Sequence, residues 1–395
     1  MIIQAISSIV PGYRANGLQF GELVPTDNIL KHIGNVDEQA LDIFDTAFIS
    51  NRIGIHSIAL TNETIKCMEA FWDHRSNWTQ ATAFSYSQRK FNTTLYDMLE
   101  AALADCIEQV KQKTGLASQL KISHHIHMAG IMHPFMEHAL FRVREKFNIR
   151  PTHAYNTILV QQGCTSFLTA LRLCEPLLKT NTAADQYILI TAENNMISNT
   201  HTLLPGRAKR KDLNEWIYSA IFGEAVAACL VCNESSTTGM QGGWEVTSTL
   251  EHVLQDDWRL KYIYSVDKEC SYMHVRAREV QETYYNGITK ALVEAIDVSG
   301  GLDKLFRVCL HESNPRLLVK VSDATGVPPD MIPSTCAEIG TLAGVSSFLL
   351  LDIVNRDFSA LYPGRRQGDN NKVVMASIGE GYSKMLSGYI CLTAV

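Results

Sequence analysis

Apolar positions along this chain recur in two alternating rhythms. Short runs such as Ile122–Met128, Thr157–Val160, Tyr187–Thr191, Ala225–Val231, Phe306–Leu310, Val373–Ser377 and Gly388–Thr393 read as strands. Between them, apolar residues at helical spacing predict helices over Leu95–Thr114, His133–Phe147, Ser166–Leu178 and Ala277–Asp297. The opening Met1-Ile2-Ile3-Gln4-Ala5-Ile6 reads as a first strand that turns at Pro11-Gly12. Strand and helix patterns alternate throughout, which argues for α/β layering. A faint internal repeat goes further. Gly163-Cys164-Thr165 opens a helix early in the chain and Gly340-Thr341-Leu342-Ala343 opens one late, and an apolar strand follows each. The repeat predicts two similar halves, 1–210 and 211–395, joined near Pro205–Asn214.

Composition narrows the class. With 395 residues, 46% hydrophobic and 19% charged, the chain can bury two fused α/β cores. A net charge of −6 gives no global pull toward nucleic acid or an anionic membrane. No window approaches the ~18–20 uninterrupted apolar residues of a membrane span, and the start lacks a basic leader. The 10 cysteines are scattered, several inside apolar strands or helices (Cys106, Cys174, Cys229, Cys309, Cys391), as reduced thiols of a cytoplasmic protein are.

Candidate chemistry centres on Gln161-Gln162-Gly163-Cys164-Thr165-Ser166-Phe167. Thr157–Val160 reads as a buried strand and Phe167 onward as a helix, so the Cys164 thiol sits where strand turns to helix. Free backbone N–H groups and the positive helix end there favour a thiolate. Far downstream, His311-Glu312-Ser313-Asn314 ends the run Phe306–Leu310. Cysteine at a helix start and histidine at a strand end make a nucleophile and a base if the fold joins them.

Other clusters carry less. His124, His125, His127, His133 and His138 invite a metal, but His125 and His127 share a strand face that His124 does not, and no acidic or cysteine partner follows at ligand spacing. No metal is expected. Cys229-Leu230-Val231-Cys232 lies in an apolar strand without a second pair, so core cysteines are expected. The basic run Arg207-Ala208-Lys209-Arg210-Lys211 is either a solvated loop or a dock for coenzyme A phosphates or an acidic carrier protein. Without interleaved aromatics it does not suggest nucleic acid.

Five segments together resemble the thiolase superfamily, and within it ketoacyl-acyl-carrier-protein synthase III. Asn51-Arg52-Ile53-Gly54-Ile55 is similar to the family's Thr-Arg-Thr-Gly-Ile, Gln162–Phe167 to its Ala-Cys-x-Gly-Phe turn, and Ile221-Phe222-Gly223-Glu224-Ala225 to its Phe-Gly-Asp-Gly-Ala strand entry. His311–Asn314 is similar to His-Gln-Ala-Asn, and Ile378-Gly379-Glu380-Gly381 to the C-terminal Phe-Gly-x-Gly loop.

The resemblance implies a thiolase-like α/β fold: two pseudo-symmetric halves in a five-layer αβαβα arrangement, usually a homodimer. It implies that Cys164 accepts an acyl group from acyl-coenzyme A or an acyl carrier protein. The thioester of coenzyme A or phosphopantetheine is then a substrate, and no cofactor is permanently bound. It implies an oxyanion hole from the N–H groups of Cys164 and Gly381, with Gly379 in the same loop. Phe48 and Arg52 match positions that stack on and pair with the coenzyme A nucleotide, and His133-Pro134-Phe135 resembles a loop that enters the partner's acyl pocket.

One position departs from the family. Counting forward from His311, the family's catalytic asparagine falls on Thr341, which read alone is either a helix N-cap or a polar catalytic contact. Losing one aligned donor at such a site typically costs about 10²–10³ in rate. Condensation with a malonyl acceptor, as in fatty-acid or polyketide synthesis, therefore competes with ester or amide formation on a small-molecule acceptor, and with a non-catalytic partner subunit. Glu338 is a candidate substitute partner for His311, and Asn314 either supports the site or contacts it.

Overall fold

Why the chain layers as it does is visible in its first strand. In β1 (Ile2–Ile9) every residue is buried, with Ile3 and Ile6 on one core and Ile2, Ala5 and Ile9 on another. A strand apolar on both faces has to lie between two layers. The computed structural model describes the chain apart from residues 35–48, 74–77, 115–119, 130–135, 150–156, 161, 181–185, 204–214, 234–241, 256–261, 267–270, 276, 362–370 and 381–384.

After β1 come β2 (Gly21–Pro25), α1 (Thr26–Gly34), β3 (Ser57–Thr61), α2 (Asn62–Trp72), α3 (Gln80–Gln88), α4 (Thr93–Thr114), β4 (Lys121–Ala129), α5 (Met136–Lys146), β5 (Thr157–Val160), α6 (Ser166–Thr180), β6 (Gln186–Asn194), α7 (Glu215–Ile221) and β7 (Ala225–Cys232). The remainder holds β8 (Trp244–Gln255), β9 (Tyr262–Val266), β10 (Ser271–Val275), α8 (Ala277–Val298), β11 (Leu305–Leu310), α9 (Pro315–Thr325), α10 (Cys336–Ile339), α11 (Val345–Leu361), β12 (Lys372–Glu380) and β13 (Met385–Ala394). The elements expected from periodicity are all present; β6, β12 and β13 each run four residues longer than expected, β5 matches, and α5 is described only over Met136–Lys146.

The main sheet runs β11-β12-β13-β8-β1-β7-β6-β4-β5. Its two wings repeat one pattern. In one, β1 pairs antiparallel with β7, β7 antiparallel with β6, and β6 parallel with β4. In the other, β8 pairs antiparallel with β13, β13 antiparallel with β12, and β12 parallel with β11. Helices repeat with them, since α4 and α8 both precede the first parallel strand of their wing. The two wings are one hydrogen-bonded sheet, joined where Ile2 and Ile3 meet Glu245 and Trp244. By pairing, β7 lies with β1 and β6 in the first wing.

Three cores define the layers. One packs α6 and α11 between the inner faces of both wings, with Phe167, Leu171, Phe348 and Leu351 beside Ile190, Val231, Met375 and Ile390. A second covers the first wing with α4 and α5, and a third covers the second wing with α8 and α9. Helix, sheet, helix, sheet, helix is the five-layer order. One strand differs from expectation: β5 ends the sheet, and Leu159 is 43% exposed. An apolar run bounded by turns does not distinguish an edge strand from an inner one. No helix among the described residues is long and apolar enough to cross a membrane.

Candidate active site

Contacts link the motif segments to their neighbours: Gly379 lies against the Cys164 turn, His311 is bonded to Ala376, Gly54 faces Pro315 and Gly223 is bonded to Thr341. Cys164 lies in a single 3₁₀ turn, Gly163–Thr165, that leads directly into α6. The turn is held locally: Thr165 donates from both N and Oγ1 to Gln162 O, and Ser166 Oγ donates to Gly163 O at 2.7 Å. Gly163 has φ 51°, the left-handed region that glycine adopts most easily. The C-terminal end of β12 lies against this turn. A Cβ on Gly379 would stand 2.5 Å from Cys164 N and 2.6 Å from Thr165 N, so only glycine lets that backbone approach. On the other side Gly344, just before α11, faces Gly163 O.

His311 follows β11 and is 2% exposed. Its backbone N–H donates to Ala376 O at 2.9 Å, three residues before the glycine that touches the Cys164 turn. Nδ1 of its ring has no hydrogen-bond partner among the described residues, and the Tyr284 ring stands edge-on at 6.0 Å. Burial lowers the His311 pKa to about 4, so the imidazole is neutral at pH 7. Burial also raises the Cys164 pKa to about 12. Desolvation thus opposes the thiolate expected at a helix start, at a cysteine that is half-buried.

Thr341 is not a helix N-cap. Helix α11 begins at Val345, after Ala343 at φ 48°. Its backbone instead bridges Phe222: Thr341 N donates to Ile221 O at 2.9 Å and Gly223 N donates to Thr341 O at 3.0 Å. Its hydroxyl donates to Glu312 O at 2.7 Å, which uses the one proton it has. Asn314 is the N-cap of α9, with Oδ1 accepting from Leu317 N at 2.9 Å. Glu338 is exposed, and its carbonyl accepts from the Ser57 hydroxyl, so its side chain lies on the solvent side while His311 is buried.

Arg52 lies in a π turn, Ile49–Ile53, and is exposed. The turn is tied to the histidine segment, since Arg316 donates to Asn51 O and Gly54 faces Pro315. Phe48, His133, Phe135, Arg207 and Gly381 lie outside the described residues.

Two carboxylates carry structural weight that the pattern of the chain did not reveal. Glu224 is buried and accepts from Thr61 N and Oγ1, Thr64 Oγ1, Asn92 Nδ2 and Met196 N, all within 3.1 Å. Glu312 accepts from Thr335 N and Oγ1 and from Cys336 N. Partners so distant in sequence leave no local signal; the one hint was that a charged residue follows a candidate base. His125 and His127 share the Thr191 hydroxyl, and no group of three or more His, Cys, Asp or Glu side chains that could hold a metal ion is found among the described residues.

No family model matches the chain, and no curated protein matches it in sequence. Solved structures do match. The tetronic acid condensing enzyme AbyA1 superposes with a TM-score of 0.70 at 15% identity, covering 99% of both chains. The 3-oxoacyl-(acyl carrier protein) synthase III of Pseudomonas aeruginosa gives 0.64 at 15% identity, over 99% of this chain and 97% of that one. A variant of OleA from Xanthomonas campestris gives 0.69 at 13% identity, over 99% and 98%. The chain has the thiolase-like fold of ketoacyl synthase III and its structural relatives.

Proposed function

We propose that this protein is an acyltransferase that carries its acyl group as a thioester on Cys164. The supporting observation is the convergence of the nucleophile turn, the Gly379 backbone and the histidine segment on one end of β12. In the first step the Cys164 sulfur attacks the carbonyl of an acyl thioester, and its proton passes to the neutral imidazole of His311. The Cys164 N–H, with Gly381 in the family's pattern, receives the oxyanion. The thiol of coenzyme A or of a carrier's phosphopantetheine then leaves with the proton from His311. In the second step an acceptor attacks the acyl-enzyme, His311 takes the acceptor's proton, and the Cys164 thiol is regenerated.

Thr341 points to the kind of acceptor. Its hydroxyl proton is engaged by Glu312 O, so it offers no aligned donor to an enolate. That favours an oxygen or nitrogen acceptor, giving an ester or amide. The second reading is carbon–carbon condensation with a malonyl carrier, favoured by the condensing activities in the names of two structural neighbours. Phe48, Arg52 and Arg207 are proposed to meet the nucleotide or carrier, and Phe135 the acyl pocket of a partner subunit. A homodimer fits the open edge of β5, which leaves strand hydrogen bonds and Leu159 without cover in the single chain.

Intact-mass measurement against a panel of acyl-coenzyme A donors tests the reading. The wild type should gain the acyl mass and Cys164→Ala should not; an equal adduct on both removes Cys164 from the mechanism. Carbon dioxide release with malonyl-carrier protein would shift the second step to condensation. A wild type that accepts no acyl group leaves the non-catalytic partner subunit.

A further inference from the structure

We propose that Glu312 is the positioning residue of His311, holding the imidazole from the backbone side. The inference rests on His311 being the proton acceptor of the acyl transfer described above. Glu312 is 1% exposed, and no cation pairs with it among the described residues. A carboxylate is retained in such a place only if its lone pairs are used. They are: Oε1 accepts from Thr335 N at 2.6 Å and Cys336 N at 3.2 Å, and Oε2 accepts from Thr335 Oγ1 at 2.8 Å. The carbonyl of the same residue accepts from Thr341 Oγ1 at 2.7 Å. Segment 335–341 thus hangs from residue 312 at both ends.

Directly beside it, the backbone N–H of His311 is tied to Ala376 O. Histidines at reactive sites are commonly oriented by a hydrogen bond to the second ring nitrogen. Here Nδ1 is buried and has no partner among the described residues. Ring orientation is therefore left to packing and to the backbone on either side, and Glu312 fixes one of those sides. The clamped segment is also bonded to the first half, since Thr341 O accepts from Gly223 N, and three residues beyond it Gly344 faces Gly163 O of the nucleophile turn. Loosening it would disturb base and nucleophile together.

The chemistry of residue 312 separates clamp from charge. Glutamine can accept both N–H groups through its amide oxygen and donate to Thr335 Oγ1, so Glu312→Gln keeps the clamp. Glu312→Leu fills similar space and accepts nothing. The test measures coenzyme A release and Cys164 acylation with short-chain and medium-chain acyl-coenzyme A between pH 4 and 9, beside folded fraction by circular dichroism. Glu312→Gln should stay within about threefold of wild type throughout. Glu312→Leu should lose about 30–100-fold in kcat with KM within about threefold, the size expected of a misplaced catalytic group. Its acid limb should move from the wild-type position near pH 4 toward the ordinary histidine value of 6.5, as a loosened ring meets water.

A leucine variant with wild-type kcat and acid limb overturns the proposal. So does one whose loss follows its folded fraction with the pH profile unmoved, which marks a purely structural role. Should the leucine variant not fold, Thr335→Val removes one leg of the clamp, and an unmoved profile in it is equally decisive against. A wild type that neither acylates nor releases coenzyme A removes the acyl-transfer reading itself, and this inference with it.

Discussion

At the scale of single residues, the proposed nucleophile and base are both neutral before substrate arrives. Burial alone accounts for it, lifting the thiol to about 12 and lowering the imidazole to about 4. A preformed thiolate–imidazolium pair would react with alkylating agents at a rate that is flat across neutral pH. A neutral thiol behaves otherwise: alkylation of Cys164 by iodoacetamide, read on its own peptide by mass spectrometry, should climb about tenfold per pH unit from 6 to 9. A rate already at its plateau by pH 7 would contradict the raised thiol pKa. Both residues were legible in the sequence, because a cysteine at a strand-to-helix turn and a histidine at a strand end have local signatures. Their protonation was not, since desolvation depends on which layers close over them. Thr341 makes the same point: as a residue type it suits a helix cap, yet its partners are Ile221 and Glu312, which only folding brings near.

Between elements, β4 and β6 are joined by a polar stitch inside an apolar layer. His125 Nε2 and His127 Nδ1 both meet Thr191 Oγ1, at 2.7 and 2.8 Å, beneath the core that α4 and α5 cover. Burial is the main cause that holds both histidines neutral, with the His127 pKa lowered to about 3 and that of His125 also well below its usual value. A base whose folded pKa lies below its unfolded value of 6.5 adds stability above pH 6.5 and loses it as pH falls toward 3. Each such histidine should remove about 1.4 kcal/mol per pH unit in that window. His127→Asn, whose amide can mimic Nδ1, should flatten the fall in urea-unfolding free energy between pH 6.5 and 4.5 by about that slope. Identical slopes in variant and wild type would mean the pair is not buried in the folded protein. Strand boundaries were readable here because alternation and β-branched runs are local. The histidines invited a metal reading because sequence places imidazoles on one face without saying that a threonine from the next strand bonds one ring nitrogen of each. The edge position of β5 escaped for a related reason, as pairing order is a property of the sheet and not of the run.

For the whole molecule, the question is whether two repeated wings fold as one body. The hydrogen-bonded seam between them is short, two residue pairs of β1 and β8. The inner helix layer is the larger bond. Helix α6 comes from the first wing and α11 from the second, and their Phe167 and Phe348 rings meet at 4.2 Å, both essentially inaccessible to water. A core drawn from both wings cannot be half lost, because unfolding either wing exposes the inner face of the other. Coincident transitions by calorimetry, far-ultraviolet dichroism and tryptophan fluorescence are therefore expected despite the chain's length. Phe348→Ala, which empties space in that shared layer, should cost about 3–5 kcal/mol and move the entire transition to lower denaturant without splitting it. Two separable transitions, or a variant that destabilises one wing alone, would show that the wings are independent domains. The candidate site would then be an interface between them rather than part of a single cooperative core.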